Sequence, residues 1–211
     1  MVKKLSWMLL AALSVVIGLY PGLFFLGEKK VGILKIKPEA LFLNLFWHIS
    51  FYVHIISGGI ALLVGWMQFS PNIRKKSIAF HRHTGKLYVT AVLFSSLTGF
   101  HIAFYATAGL PAALGFMSLS CIWFYTTLIA YISIRNGQVA RHRNMMIYSY
   151  ACCFAAVALR LWMPFLVPLF GSFKTAYIVV SWWCWVPNLI VAYGLTRVTV
   201  PKSLYRSDRG S

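Results

Sequence analysis

The sequence predicts an all-α integral membrane protein, an antiparallel bundle of six transmembrane helices with both termini in the cytoplasm. Three observations predict it. Of 211 residues, 60% are hydrophobic and only 11% are charged, whereas a soluble domain carries about 25% charged residues. The apolar residues come in long runs rather than in alternating or heptad patterns. The cations gather in the short stretches between those runs, the distribution that orients a protein in a bilayer.

A hydrocarbon core about 30 Å thick takes about 20 helical residues to cross. Six segments meet that length: about 5–27, 44–68, 85–108, 111–135, 144–167 and 175–197. The first follows "MVKK", is too long for a signal-peptide core and has no A-x-A site, so it reads as a retained anchor. Pro21-Gly22 kinks it or ends its regular part. The next stretch, "EKKVGILKIKPEA", is the longest loop, and its Val31, Ile33, Leu34 and Ile36 suit the membrane surface. Later loops are short, so neighbouring helices should pack antiparallel. The chain reads as a single membrane domain, 1–211: an anchor (1–27), a four-helix core (44–167), a last helix (175–197) and a tail (198–211) whose "YRSDRGS" end looks disordered.

Fourteen cations fall on one side of these segments, at Lys3, Lys4, Arg74 to Lys86, Arg135 to Arg143 and the tail. Five fall on the other: Lys29, Lys30, Lys35, Lys37 and Lys174. The richer side is the cytoplasmic one. This placement also accounts for the net charge of +17, which argues for a lipid bilayer as partner and against nucleic acid. Glu28, Glu39 and Asp208, the three acids, all lie outside the spans. That argues against an intramembrane aspartyl protease, a carboxylate proton relay and an oxygen-ligand Mg²⁺ or Ca²⁺ site. Cys121, Cys152, Cys153 and Cys184 form no CxxC and read as small hydrophobes.

Polar groups inside a span are costly and face the bundle interior. In the second segment His54, Gly58, Ala61 and Gly65 share one face, and the glycines permit a close helix approach or room for a flat cofactor. His101 of the third segment falls at a depth between those of His54 and His48, which permits a bis-histidine site in the outer half. In the fifth, His142, Met146, Ser149, Cys153, Ala156, Arg160 and Met163 recur at spacings of four and three, a stripe that should face inward. Arg160 is the one charged residue deep in a span, and without a carboxylate it calls for backbone carbonyls, a polar cavity, snorkelling to the outer surface or an anionic ligand. A quinone carbonyl, a haem propionate or a lipid phosphate would each serve. His81, His83 and His142 stand at the cytoplasmic edge, so two histidine groups lie on opposite sides, as electron transfer through two haems would require. The "SWWCW" run reads as a lipid-facing aromatic belt, and Asn188 as the repair of a turn broken by Pro187. Met145-Met146 and Cys152-Cys153 do not suit copper, because adjacent helical residues point about 100° apart.

The stretches "FYVHIISGGIALLVGWMQFSPNIRKKSIAFHRHTGKLY" and "GFMSLSCIWFYTTLIAYISIRNGQVARHRNMMIYSYACCFAAVALRLWMPF" resemble a bacterial family of multi-pass membrane proteins catalogued as a domain of unknown function, number two-three-zero-six. The resemblance covers about residues 46–166. It implies that His54, Gln68, Arg74, His81, Arg82, Gly85, Tyr88, Trp123, Arg135, His142, Met146 and Arg160 are the family's recurrent positions, with His54, His81 and His142 as a ligand set. The chain departs from the pattern at His83 and Asn144, where tryptophan is expected, and at His101. A looser likeness is to the di-haem cytochromes of the b561 type, but no segment here carries two histidines about four turns apart.

These residues support three functional readings. The first is an inner-membrane redox protein that binds haem b or quinone through His54, His81, His101, His142 and Arg160. The second is a non-catalytic sensor, assembly factor or small transporter. The third is a lipid-headgroup-binding protein that uses Arg82, Arg141 and Arg143.

Overall fold

In a computed structural model the protein is described over residues 2–26, 34 and 36–198, and these are helical nearly throughout. Much of the loop with Lys29, Lys30, Val31, Ile33 and Lys35, and the tail with its cations, lie outside the described residues. Among the described residues, six helical stretches are long and apolar enough to cross a membrane: Leu5–Phe25, Leu45–Phe69, Ile78–Ala103, Leu110–Arg135, Val139–Phe170 and Phe173–Arg197.

The first span is helix α1 (Val2–Leu19), which gives way at Pro21 to a 3-10 turn and the short α2 (Leu23–Leu26). After α3 (Glu39–Phe42), α4 (Leu45–Gly65) begins at Asn44, whose side chain accepts the Trp47 amide hydrogen. A 3-10 turn and α5 (Pro71–Lys76) lead into α6 (Ile78–Ala103). This third span starts earlier than the expected residue 85, because the Ser77 hydroxyl caps the Phe80 amide. The polar "HRHTG" stretch is therefore helical: low hydropathy does not prevent a helix with a good cap. It also ends at Ala103 rather than 108.

The fourth span is α7 (Leu110–Arg135). The fifth is divided at Phe154 into α8 (Val139–Cys153) and α9 (Ala155–Phe170), and the sixth at Cys184 into α10 (Phe173–Trp183) and α11 (Val186–Val198). Asn188 acts at that second break, donating to the carbonyls of Cys184 at 2.9 Å and Ala151 at 3.2 Å. Tight turns hold the antiparallel neighbours together, and Gly137 and Gly171 adopt positive φ there (73° and 60°), which favours glycine.

Helix α4 packs along α6, α6 along α7, and α7 along α8; α1 lies on α4, and α10 on α7 and α9. The α1–α4 seam is very close, since a Cβ on Gly59 would come 2.7 Å from the Gly18 carbonyl oxygen. Gly65 gives its space to the rings of Tyr150 and Tyr88. Between α6, α7 and α8 the core contains a fully buried hydroxyl cluster: the Tyr88 hydroxyl is 2.8 Å from Ser149 Oγ, itself 2.6 Å from Thr127 Oγ1. Outward residues such as Phe94, Leu97 and Phe165 are exposed, as a lipid-facing surface requires.

Two expectations are corrected by this packing. Leu34 does not lie on the membrane surface: it is buried against Trp47 and Phe51 at the end of the bundle. The aromatic run is only partly a belt. Trp182 and Trp183 are exposed, but Trp185 is buried and donates to the Ser181 carbonyl at 2.8 Å.

Candidate functional site

A cavity of about 350 Å³ lies inside the bundle, lined by residues of α1, α4, α6, α7, α8, α9 and α10 among others. Small-molecule sites usually measure about 300–1,000 Å³ and combine apolar walls with a few placed polar groups. This one follows that pattern. Phe24, Phe51, Leu62, Phe116 and Leu159 are among its apolar walls, and His54 and Arg160 supply polar groups from opposite helices.

His54 is seated by α6. Its Nδ1 lies 2.8 Å from the Ser95 carbonyl oxygen and 3.2 Å from Ser95 Oγ, which in turn donates to the His54 carbonyl at 3.1 Å. Room for the ring comes from Gly99, where a Cβ would stand 2.9 Å from Nδ1. At Gly58 the first of the two expected alternatives, a close helix approach, is what the packing shows: a Cβ there would come 3.1 Å from Ser95 Oγ of α6, and Gly58 also lines the cavity.

Arg160 reaches the same cavity from α9. It donates to the Ala156 carbonyl at 2.8 Å, and its guanidinium lies 4.5 Å from the centroid of the Tyr20 ring. No carboxylate lines the cavity among the described residues. Two more donors stand at its end. Lys37 donates to the Tyr105 carbonyl, and burial pulls its ammonium down to about 8. The Trp47 indole N–H is buried without a hydrogen-bond partner among the described residues. Arg160, Lys37 and Trp47 thus put donors on a wall that has no carboxylate among the described residues, which suits a ligand whose polar end carries oxygen acceptors.

The inward stripe of the fifth span is real in its buried middle: Met146, Ser149 and Cys153 are buried, and Cys153, Ala156 and Arg160 line the cavity. Cys152 and Cys184 line it too, and all three thiols are unpaired. No group of three or more His, Cys, Asp or Glu side chains suited to a metal ion occurs among the described residues.

The other histidines lie elsewhere. His101 falls at the expected depth but turns away from the cavity lining: its Nδ1 pairs with Ser50 Oγ at 3.0 Å, and its ring packs on Phe46 and Tyr105. His48 stacks on Tyr52. His81 and His142 lie at the opposite end of the bundle, in the first turns of α6 and α8. His142 Nδ1 is 2.9 Å from the Ala130 carbonyl oxygen, and His83 Nδ1 is 2.8 Å from that of Ala79. Fourteen residues of α6 separate His81 from Ser95, the seat of His54, a distance of about 20 Å along the helix. Hence His54, His81 and His142 do not form one ligand set around a single group. Arg82, Arg141 and Arg143 are exposed at the His81 end.

Sequence reasoning missed Tyr20, Trp47, Ser95 and Gly99. A tyrosine or tryptophan in an apolar run reads first as an interfacial residue, and serine and glycine as packing. Gln68 and Gly85 form a pair of their own, with Gln68 donating to Thr84 at 2.6 Å beside Gly85.

No curated protein and no solved structure matches this chain. A family model described as predicted membrane protein (DUF2306) matches residues 51–196, from the second span through most of the last. The match takes in His54, Ser95, Trp123 and Arg160 and covers well over half of the chain, which therefore belongs to this family of predicted membrane proteins.

Proposed function

We propose that this multi-pass membrane protein is a redox protein of the bacterial inner membrane that binds a quinone-class molecule in the cavity between His54 and Arg160. On this reading the chain is one membrane domain with both ends in the cytoplasm. The observation that carries it is the convergence of these two side chains, from α4 and α9, on one otherwise largely apolar cavity with no carboxylate in its lining. A quinone head is flat, apolar on its faces and carries carbonyl oxygens, and Arg160 has donors to offer one of them. Haem b fits less well. His54 is the one histidine in the lining, so a second axial histidine is not at hand among the described residues.

The test is quenching of tryptophan emission by a decyl-substituted benzoquinone in detergent, since Trp47 and Trp123 line the cavity. Saturable quenching is expected. Arg160→Leu should weaken it about tenfold, the loss of one charged hydrogen bond, while Arg141→Gln, on the exposed end, should not. Quenching that does not saturate, or that is equal in Arg160→Leu, contradicts the proposal.

A further inference from the structure

The hydrogen bond at His54 Nδ1 carries information about the ligand beyond its class. A backbone carbonyl can only accept, so the 2.8 Å contact with the Ser95 carbonyl oxygen requires the proton to be on Nδ1. In a neutral ring so held, Nε2 has no proton and presents a lone pair. Among the described residues no hydrogen bond takes that nitrogen, whereas Nδ1 is held on both the carbonyl and the hydroxyl of Ser95. The ring cannot easily turn over to exchange its nitrogens, because Ser95 fixes one edge and Gly99 admits it with no room to spare. The cavity therefore sets unlike partners against each other: Arg160, which only donates, and His54 Nε2, which accepts.

A quinone, whose head oxygens only accept, satisfies Arg160 and leaves Nε2 unmatched. A hydroquinone satisfies both, with one hydroxyl donating to Nε2 and the other oxygen accepting from Arg160. Resting on the quinone reading above, we infer that the site is selective for the reduced, dihydroxy form, and that His54 is the residue that distinguishes it. A phenolic or enolic hydroxyl on a flat apolar head is the feature recognised. The consequence is thermodynamic: binding the quinol tenfold more tightly than the quinone would raise the midpoint potential of the bound two-electron couple by about 30 mV.

The experiment compares Kd for the decyl-benzoquinone with that for its quinol, prepared anaerobically, on the intact detergent-solubilised protein. The quinol is expected to bind about fivefold to tenfold more tightly, the worth of one added hydrogen bond in a dry site. His54→Phe keeps a flat ring but no acceptor, and should bind both forms alike. Ser95→Ala retains the backbone carbonyl that sets the tautomer, and should keep the preference. Equal affinities in the wild type, or a preference that survives in His54→Phe, overturn the inference while leaving quinone binding intact. If neither form binds, the quinone reading itself fails and the inference falls with it.

Discussion

Arg160 and His54 were both conspicuous in the sequence, as an arginine and an imidazole within apolar spans, and both open on the cavity. His101 carried the same signal and lies elsewhere, against Ser50 and the ring of Phe46. The difference is one of azimuth. Counting residues along a helix gives depth, but which face points inward depends on the neighbour it packs against, and a fairly uniform apolar pattern does not mark that face. Ser95 was silent for a similar reason, since its decisive group is a backbone carbonyl that every residue possesses. Lys37 offers a test at this scale. Its amine should become reactive toward a water-soluble acylating reagent with a midpoint near pH 8, because the neutral form is the nucleophile and burial disfavours the ammonium. Peptide mass spectrometry across pH would show it, and a Lys37 midpoint well above pH 8 would contradict the burial described here.

At the scale of the helix, α1 deserves separation from the other spans, being the least buried of them. The family match begins at residue 51, beyond it. Yet Tyr20 and Pro21, at its end, line the cavity, and Gly18 sets how closely it approaches α4. Replacing Gly59 by valine places carbon 2.7 Å from the Gly18 carbonyl oxygen. Such overpacking should lower stability by about 1–3 kcal/mol, read as a shifted midpoint in a denaturing-detergent titration. Gly22→Ala, where an added Cβ meets nothing within 4 Å, should leave that midpoint unchanged. Equal effects of the two substitutions would contradict the seam. The six spans were legible because length and hydropathy suffice to find them. Helix starts and breaks were not. The start at Ile78 rests on one serine cap, and the interruption at Phe154 has no proline or glycine beside it to announce it.

Across the described residues, two chemically different ends are joined by a buried core. One carries exposed Arg82, Arg141 and Arg143 with His81 and His142. The other holds the cavity, with Leu34 and Lys37 in its wall. Tyr88, Ser149 and Thr127 lie between these regions, completely buried and bonded to one another. Paired hydroxyls of this kind hold helices together at about 0.6 kcal/mol each, so the cluster needs no transport role to explain it. The arrangement favours a molecule that resides within the bilayer and enters the cavity from there, with the basic end held at anionic headgroups. The measurement that tests this most directly is organic extraction of the protein purified gently from its native membrane, with the extract analysed by chromatography and mass spectrometry and the protein itself by absorption spectroscopy. A quinone or quinol near one per chain, lost in Arg160→Leu, and no Soret band are the expected result. A haem spectrum, or an extract with phospholipid alone and no quinone enriched above the level of an unrelated membrane protein, would contradict it.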